Sequence, residues 1–201
     1  MKMNLPNKLS VLRLCLVPVI IIVGMLPESI LPFYISCIIC AVLFIGTSIT
    51  DMLDGKIARK YNLITDFGKF LDPVADKFMV IGAMFVILYK FANLRTIMIF
   101  ALIVVVFREL AVTSIRLVAA SGKEKVVIAA NMLGKIKTVT QIVAIVAAII
   151  EPLIYSSLSL DVQLLGFPPV TLVTTALMIY LTIHSGINYI VGAWKYLDPQ
   201  K

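Results

Sequence analysis

The composition of this 201-residue chain excludes an ordinary soluble domain. Hydrophobic residues make up 61% of it and the mean hydropathy is +1.04, well above the apolar share of soluble globular proteins. The net charge of +7 would also suit a nucleic-acid partner. The basic residues, however, stand beside apolar runs, where they orient membrane helices and meet anionic headgroups. We therefore predict an all-α integral membrane protein that binds the lipid bilayer and no nucleic acid.

The length sets the number of helices. A membrane-spanning helix needs about 20 residues, so roughly six fit once loops are allowed for. We predict a single domain, residues 1–201, folded as a bundle of six transmembrane helices with a short N-terminal interfacial segment at residues 1–7. A cleaved signal peptide is the competing interpretation, but no small-residue cleavage site follows the first apolar run.

The first membrane helix is predicted over residues 9–26. Asn7, Ser10 and Arg13 recur at intervals of three around its start, so they share one helical face. Two interpretations fit this spacing. The three side chains either anchor the helix at the membrane surface or face a cavity inside the bundle.

The second helix is predicted over residues 30–59, and the third from an N-cap at Asp66 to about residue 91. The linker between them, residues 60–66, is short and polar. Helices joined by such a linker are expected to be antiparallel neighbours.

These two helices carry four regularly spaced carboxylates. Asp51 and Asp54 are three residues apart, and Asp72 and Asp76 are four apart, so each pair lies on one helical face. The antiparallel arrangement would bring the two pairs opposite each other. Carboxylates gathered at low dielectric repel one another, and bound protons or cations relieve the repulsion. Hard divalent cations, Mg²⁺ or Mn²⁺, suit such oxygen ligands.

Small residues accompany the carboxylates. Gly55 and Ala58 share the first face, and Gly68 lies one turn before Asp72. They leave space for a flat or phosphate-bearing ligand against the backbone, and Arg59 adds a fixed cation beside that space. The stretch is therefore a candidate ligand site.

The fourth and sixth helices are predicted over residues 95–118 and 170–194. The fifth is predicted to follow the loop that ends at residue 132, first with LGKIKTVTQ and then over residues 139–153. The loop at residues 119–132 carries Lys123, Glu124 and Lys125, whereas the loop at 154–169 has no Lys or Arg. Basic residues also cluster at both termini and after the second helix. By the positive-inside rule, both termini and the carboxylates face the cytoplasm, in the cell membrane.

The fourth and fifth helices contain further cations. Arg108 and Arg116 share one helical face, so both side chains can reach the same space. They either bind an anion, or Arg108 pairs with Glu109 or a site carboxylate and holds the bundle together. Lys135 and Lys137 flank the start of the fifth helix, where positive charge opposes the helix dipole. That mismatch favours a nearby phosphate-bearing ligand.

The aspartate stretch resembles the signature of the CDP-alcohol phosphatidyltransferase family. It matches all eight fixed positions: Asp51-x2-Asp54-Gly55-x2-Ala58-Arg59-x8-Gly68-x3-Asp72-x3-Asp76. Members of this family are integral membrane enzymes that transfer a phosphatidyl group from a CDP-lipid to an alcohol and release CMP. The resemblance also implies a homodimer.

The resemblance further implies a role for each signature residue. Two divalent ions, Mg²⁺ or Mn²⁺, would be held by Asp51, Asp54, Asp72 and Asp76. Asp76 would also be the catalytic base that takes the proton of the incoming hydroxyl. The CDP pocket would be lined by Asp54, Gly55, Ala58, Arg59 and Gly68.

Two further segments, FRELAVTSIR and GKIKT, resemble the branch of the family that makes phosphatidylglycerophosphate. The implied reaction joins CDP-diacylglycerol to sn-glycerol 3-phosphate. The acceptor phosphate would be bound by Arg108, Arg116, Lys135 and Lys137. Inositol phosphate or serine as acceptor is the alternative within the family. A cation or proton transporter is the alternative outside it, although the acids cluster at one edge and form no relay across the bilayer.

Overall fold

The computed structural model describes residues 3–61, 63, 65–121 and 132–194, excluding the side chains of Arg59 and residues 119–121. The described residues form six α-helices and a single 3-10 turn, with no strand among them. The helices are α1 (Leu5–Met25), α2 (Phe33–Lys60), α3 (Asp66–Lys90), α4 (Arg95–Ser121), α5 (Met132–Ser157) and α6 (Pro169–Ala193). The predicted all-α bundle of six helices is confirmed.

The helices have the length and composition of membrane spans. Within the described chain, five of the six, all except α3, are long and apolar enough to cross a bilayer. The exception, α3, is 25 residues long and also carries Asp72, Asp76 and Lys77. The chain is therefore a multi-pass membrane protein.

Helix α1 begins at Leu5, earlier than the predicted residue 9, so residues 5–7 belong to the helix and not to a separate interfacial segment. The Asn4 side chain explains this start, because its Oδ1 accepts a hydrogen bond from Asn7 N at 3.0 Å. Pro6 lies in the first turn, where backbone N–H groups have no acceptor within the helix, so the N–H that proline lacks costs no hydrogen bond.

Helix α3 is capped by Thr65, not by Asp66 as predicted. Thr65 has extended backbone angles, and its Oγ1 accepts a hydrogen bond from Gly68 N at 3.1 Å. Asp66 is the first helical residue, and its exposed carboxylate pairs with Lys69 at 2.9 Å. The threonine hydroxyl thus satisfies the N–H group that the aspartate was expected to satisfy.

Helix α5 begins at Met132, where the predicted loop ends, so Lys135 and Lys137 lie within its first turns as expected. The predicted loop that carries Lys123, Glu124 and Lys125 lies outside the described residues.

Helix α1 lies between the two helices that carry the carboxylates. It packs extensively against both α2 and α3, whereas α2 and α3 have few contacts with each other. The approach of α1 to α3 is close enough that a Cβ added at Gly24 would lie 2.5 Å from Val86 Cγ1. The predicted antiparallel pairing of helices two and three is therefore mediated by α1.

The middle of the bundle is an apolar core to which every helix contributes. Its largest fully buried side chains include Ile20, Phe44, Met84, Ile87, Met98, Ile145 and Met178. This layer separates the end of the bundle that carries the aspartates from the opposite end.

At that opposite end, Glu151 of α5 caps α6. Its two carboxylate oxygens accept hydrogen bonds from Val170 N at 2.9 Å and from Thr171 N at 2.6 Å. The N-cap position of α6 is Pro168, which makes no side-chain capping bond. A buried carboxylate from a neighbouring helix thus replaces the local cap and also meets the positive end of the helix dipole.

We expect Glu151→Ala to lower the free energy of unfolding by about 1–3 kcal/mol, because it removes the acceptor of two backbone N–H groups. Glu151→Gln should lose less, since its amide oxygen still accepts one bond. The midpoint of thermal unfolding in detergent measures both changes. The matched control is Asp161→Ala, because Asp161 is exposed in the loop and accepts its hydrogen bond from the side chain of exposed Gln163. Equal losses in Glu151→Ala and the control would contradict the capping role.

Candidate active site

The aspartates of α2 and α3 meet around one arginine of α1. Asp51 Oδ1 and Asp76 Oδ1 lie 2.5 and 2.6 Å from the same nitrogen, Arg13 Nη1, and Asp54 contacts Arg13 Nη2. Arg13 is 1% exposed. Three carboxylates from two helices therefore converge on one buried guanidinium.

The fourth carboxylate is held by the same face of α1. Asp72 Oδ1 accepts a hydrogen bond from Ser10 Oγ at 2.5 Å. One turn earlier, Asn7 Oδ1 accepts a hydrogen bond from Thr65 Oγ1 at 3.0 Å. Of the two interpretations of the Asn7, Ser10 and Arg13 spacing, the structure selects the one in which they face the interior of the bundle.

The exposure of the carboxylates differs. Asp54 is buried, with 5% of its side chain exposed, whereas Asp51 and Asp76 retain 31% and 47%. The cluster is therefore closed at Asp54 and open at Asp76. A substrate that approaches from solvent would meet Asp76 first.

The small residues of the signature lie close to this cluster. Gly68 is buried, and a Cβ added there would lie 2.9 Å from Asn7 Oδ1. A side chain at this position would therefore displace the Asn7 side chain of α1. Gly55 and Ala58 are partly buried on α2, and the side chain of Arg59 lies outside the described residues. The predicted role of these residues in binding CDP stays a prediction.

The donor set fits divalent cations in chemistry and charge. It consists of carboxylate oxygens, the ligands that Mg²⁺ and Mn²⁺ prefer, and three of its four carboxylates contact one arginine. In the described chain, no three His, Cys, Asp or Glu side chains are arranged to hold a metal ion. A cation, the Arg13 guanidinium, occupies the point where three of the carboxylates converge.

A second cluster of charges forms around Glu109 of α4. Glu109 Oε1 pairs with Arg108 Nη1 at 3.0 Å and also with Lys137 Nζ of α5. Lys77 of α3 donates to Thr113 Oγ1, which lies one turn further along α4. We call these five residues the basic cluster. The Arg108–Glu109 pair, one of the two interpretations of Arg108 given above, is therefore present. The basic cluster contains three cations, Arg108, Lys137 and Lys77, and one anion, Glu109.

The other two predicted phosphate-binding residues are exposed. Arg116 Nε donates to Tyr189 Oη at 3.0 Å, and its guanidinium lies 5.3 Å from the centre of the Tyr189 ring. Lys135 is exposed in the first turns of α5. The four predicted cations are thus not equivalent, because Arg108 and Lys137 lie in a largely buried ion-pair group, whereas Arg116 and Lys135 are exposed.

The aspartate cluster and the basic cluster adjoin along α3. Asp76 contacts Arg13 in the aspartate cluster, and the next residue, Lys77, contacts Thr113 in the basic cluster. Sequence reasoning assigned no role to Lys77, although its position directly after the last signature aspartate was a usable signal. The two clusters are therefore linked by consecutive residues of α3, and Asp76, at this junction, is the most exposed of the three carboxylates that contact Arg13.

Comparison with known proteins yields one family and many relatives. A family model described as CDP-alcohol phosphatidyltransferase matches residues 3–195. A protein of Bacillus subtilis (strain 168) is 40% identical, covering 96% of this chain and 97% of its own length. A protein of Rickettsia felis is 35% identical, and the match covers 96% of this chain and 97% of that protein. A protein of Yersinia enterocolitica is 32% identical, and the match covers 99% of this chain and 100% of that protein. All three are named CDP-diacylglycerol--glycerol-3-phosphate 3-phosphatidyltransferase.

Proposed function

Because this chain belongs to the CDP-alcohol phosphatidyltransferase family, we propose that it transfers the phosphatidyl group of CDP-diacylglycerol to sn-glycerol 3-phosphate, giving phosphatidylglycerophosphate and CMP. The names of the bacterial relatives support this donor and this acceptor. The observation that carries the proposal is the adjacency of the aspartate cluster and the basic cluster through Asp76 and Lys77. A carboxylate that can accept a proton then lies next to cations that can hold a phosphate.

The aspartate cluster is the proposed metal site. The family uses divalent metal ions, and two ions, Mg²⁺ or Mn²⁺, would be held by Asp51, Asp54, Asp72 and Asp76. When bound, such ions offset the negative charge that develops on the CMP leaving group. Ser10 orients Asp72 through its hydrogen bond. The CDP group would lie against Asp54, Gly55, Ala58, Arg59 and Gly68.

Asp76 is the proposed base. Its side chain is 47% exposed, so a substrate hydroxyl can reach it, whereas buried Asp54 is less accessible. The glycerol oxygen forms a bond to the phosphorus that carries the diacylglycerol, its proton passes to Asp76, and the bond from that phosphorus to the CMP oxygen breaks. CMP leaves with the electron pair of that bond.

The basic cluster is the proposed acceptor site. Arg108 and Lys137, with exposed Arg116 and Lys135, would bind the phosphate of the acceptor through charge-assisted hydrogen bonds. Serine carries no phosphate, so these cations favour a phosphorylated acceptor. Inositol phosphate also carries one, and the names of the relatives favour glycerol 3-phosphate over it. An ion transporter is disfavoured by the apolar core, which includes Phe44 and Met84.

We also propose a location and an assembly. The positive-inside rule supports the cell membrane with the active site and both termini on the cytoplasmic side. Family resemblance alone supports a homodimer, and we treat residues 1–201 as a single domain.

Replacing Asp76 by Asn should reduce CMP release by about 10²–10⁴-fold, the usual contribution of a general base. Asp54→Asn and Asp72→Asn should also collapse turnover, because each keeps the side-chain shape and removes a charged ligand. The measurement is CMP release from CDP-diacylglycerol by purified protein, with Mg²⁺, Mn²⁺ or EDTA. Asp66→Asn is the matched control, since Asp66 is exposed and pairs with Lys69. Near wild-type activity of the three variants, together with insensitivity to EDTA, would eliminate the metal mechanism.

Replacing Arg116 or Lys135 by Ala should weaken the use of glycerol 3-phosphate by about 1.5–3 kcal/mol, the range for a hydrogen bond to a charged group. The Michaelis constant for CDP-diacylglycerol should change far less. Steady-state kinetics with each substrate varied in turn separates the two effects. Exposed Lys69→Ala serves as the control for loss of a surface charge. If the loss falls on the CDP-lipid, or if free glycerol, serine or inositol phosphate serves as well, the acceptor site is assigned wrongly.

Single cysteines test the orientation, in a background that lacks Cys15, Cys37 and Cys40. Lys60→Cys, at the aspartate end of the bundle, should be protected from an impermeant thiol reagent in intact cells. Asp161→Cys, in the loop at the opposite end, should be labelled. Both positions are exposed, and they lie at opposite ends of the bundle. Labelling in permeabilised cells controls for reactivity. The reverse pattern would put the site outside the cell.

A further inference from the structure

We propose that Arg13 is the resident counter-ion of the aspartate cluster, and that it competes with divalent metal ions for the same carboxylates. The inference rests on the proposed function, which assigns divalent ions to these residues.

The contacts of Arg13 show how completely its guanidinium is engaged. Nη1 contacts both Asp51 and Asp76, and Nη2 contacts Asp54. The remaining nitrogen, Nε, is buried without a hydrogen-bond partner in the described structure. None of the side chain is exposed. The arginine is thus isolated from water and held mainly by the carboxylates.

The charges of the cluster explain why a cation must be present. Four carboxylates gathered within a membrane protein carry a strong mutual repulsion, and removing them from water is costly unless they are paired. Arg13 neutralises part of this charge. It therefore allows α1, α2 and α3 to pack together before any metal ion arrives.

The same contacts set up the competition. The oxygens that Arg13 occupies, one each on Asp51, Asp54 and Asp76, belong to the carboxylates that would ligate the ions. Mg²⁺ demands ligands at about 2.0–2.1 Å in near-ideal octahedral geometry. The guanidinium places a fixed positive charge among these three carboxylates and takes one oxygen of each, so a divalent ion that approaches them meets a charge of its own sign and fewer free ligand oxygens.

A different role for Arg13 predicts the opposite result. If the arginine only held the carboxylates in the correct orientation for the metal, its removal would weaken metal binding. If it competes with the metal, its removal strengthens binding. The direction of the change in affinity therefore separates the two roles, without reference to activity.

The experiment measures Mn²⁺ binding to the purified full-length protein in detergent, through the electron paramagnetic resonance signal of free Mn²⁺. Arg13→Gln should bind Mn²⁺ at least about tenfold more tightly than wild type, since a competing charged donor has been removed. In EDTA, the thermal unfolding midpoint of Arg13→Gln should be lower than that of wild type. Addition of Mn²⁺ should raise the midpoint of Arg13→Gln by more than it raises the midpoint of wild type. Unchanged or weaker Mn²⁺ binding by Arg13→Gln would overturn the proposal.

Arg13→Lys keeps the test decisive if Arg13→Gln does not fold. Its single ammonium group has a shorter reach and cannot reproduce the contacts of a planar guanidinium with three carboxylates. It should therefore also bind Mn²⁺ more tightly than wild type, and equal or weaker binding would again overturn the proposal.

Asp54→Asn separates this inference from the proposed function. If Asp54→Asn binds Mn²⁺ as tightly as wild type, the metal site itself is wrong and the competition is excluded with it. If Asp54→Asn loses Mn²⁺ binding but neither Arg13 variant gains it, the metal site stands and only the competition is wrong.

Discussion

The contact between Arg13 and three aspartates is the interaction on which the charged end of the bundle depends. Ionisable side chains within a membrane protein are tolerated when they pair with one another or face a cavity. Here one cation from α1 serves Asp51 and Asp54 of α2 and Asp76 of α3. This pairing explains why α1 lies between the other two helices. Without it, the two pairs of carboxylates would repel each other and drive α2 and α3 apart.

The basic cluster has the same organisation with the charges reversed. Glu109 stands among the cations Arg108 and Lys137 as Arg13 stands among the aspartates. Each cluster thus contains one internal group of opposite sign and keeps an excess of its own charge. An incoming ligand can neutralise this excess charge: cations can bind at the aspartates, and a phosphate can bind at the basic residues. Internal pairing lets both clusters exist at low dielectric while each remains able to bind.

Much of the fold and the site was predictable from local pattern. Long apolar runs predicted six helices, and the aspartate spacing predicted the signature, because both depend on residues close in sequence. The partners of those residues were less predictable. Arg13 lies far along the chain from Asp76, and the three-residue spacing of Asn7, Ser10 and Arg13 indicated a shared face without indicating what it contacts.

Thr65 capped α3 in place of Asp66 because two adjacent residues could both cap a helix, and backbone geometry decides between them. The bond from Glu151 to the start of α6 joins two helices across a loop and leaves no local sequence signal.

The position of Arg13 on the first helix also bears on how the protein is made. A chain emerges from the ribosome N-terminus first, so α1 reaches the bilayer before either helix that carries an aspartate. Its arginine lies in the third turn of α1, about 12 Å of helix rise from Leu5, and a long side chain can extend from there toward the membrane surface. When α2 and then α3 arrive, each carboxylate meets a cation that is already in place. The order of residues along the chain therefore matches the order in which buried charges must find their partners.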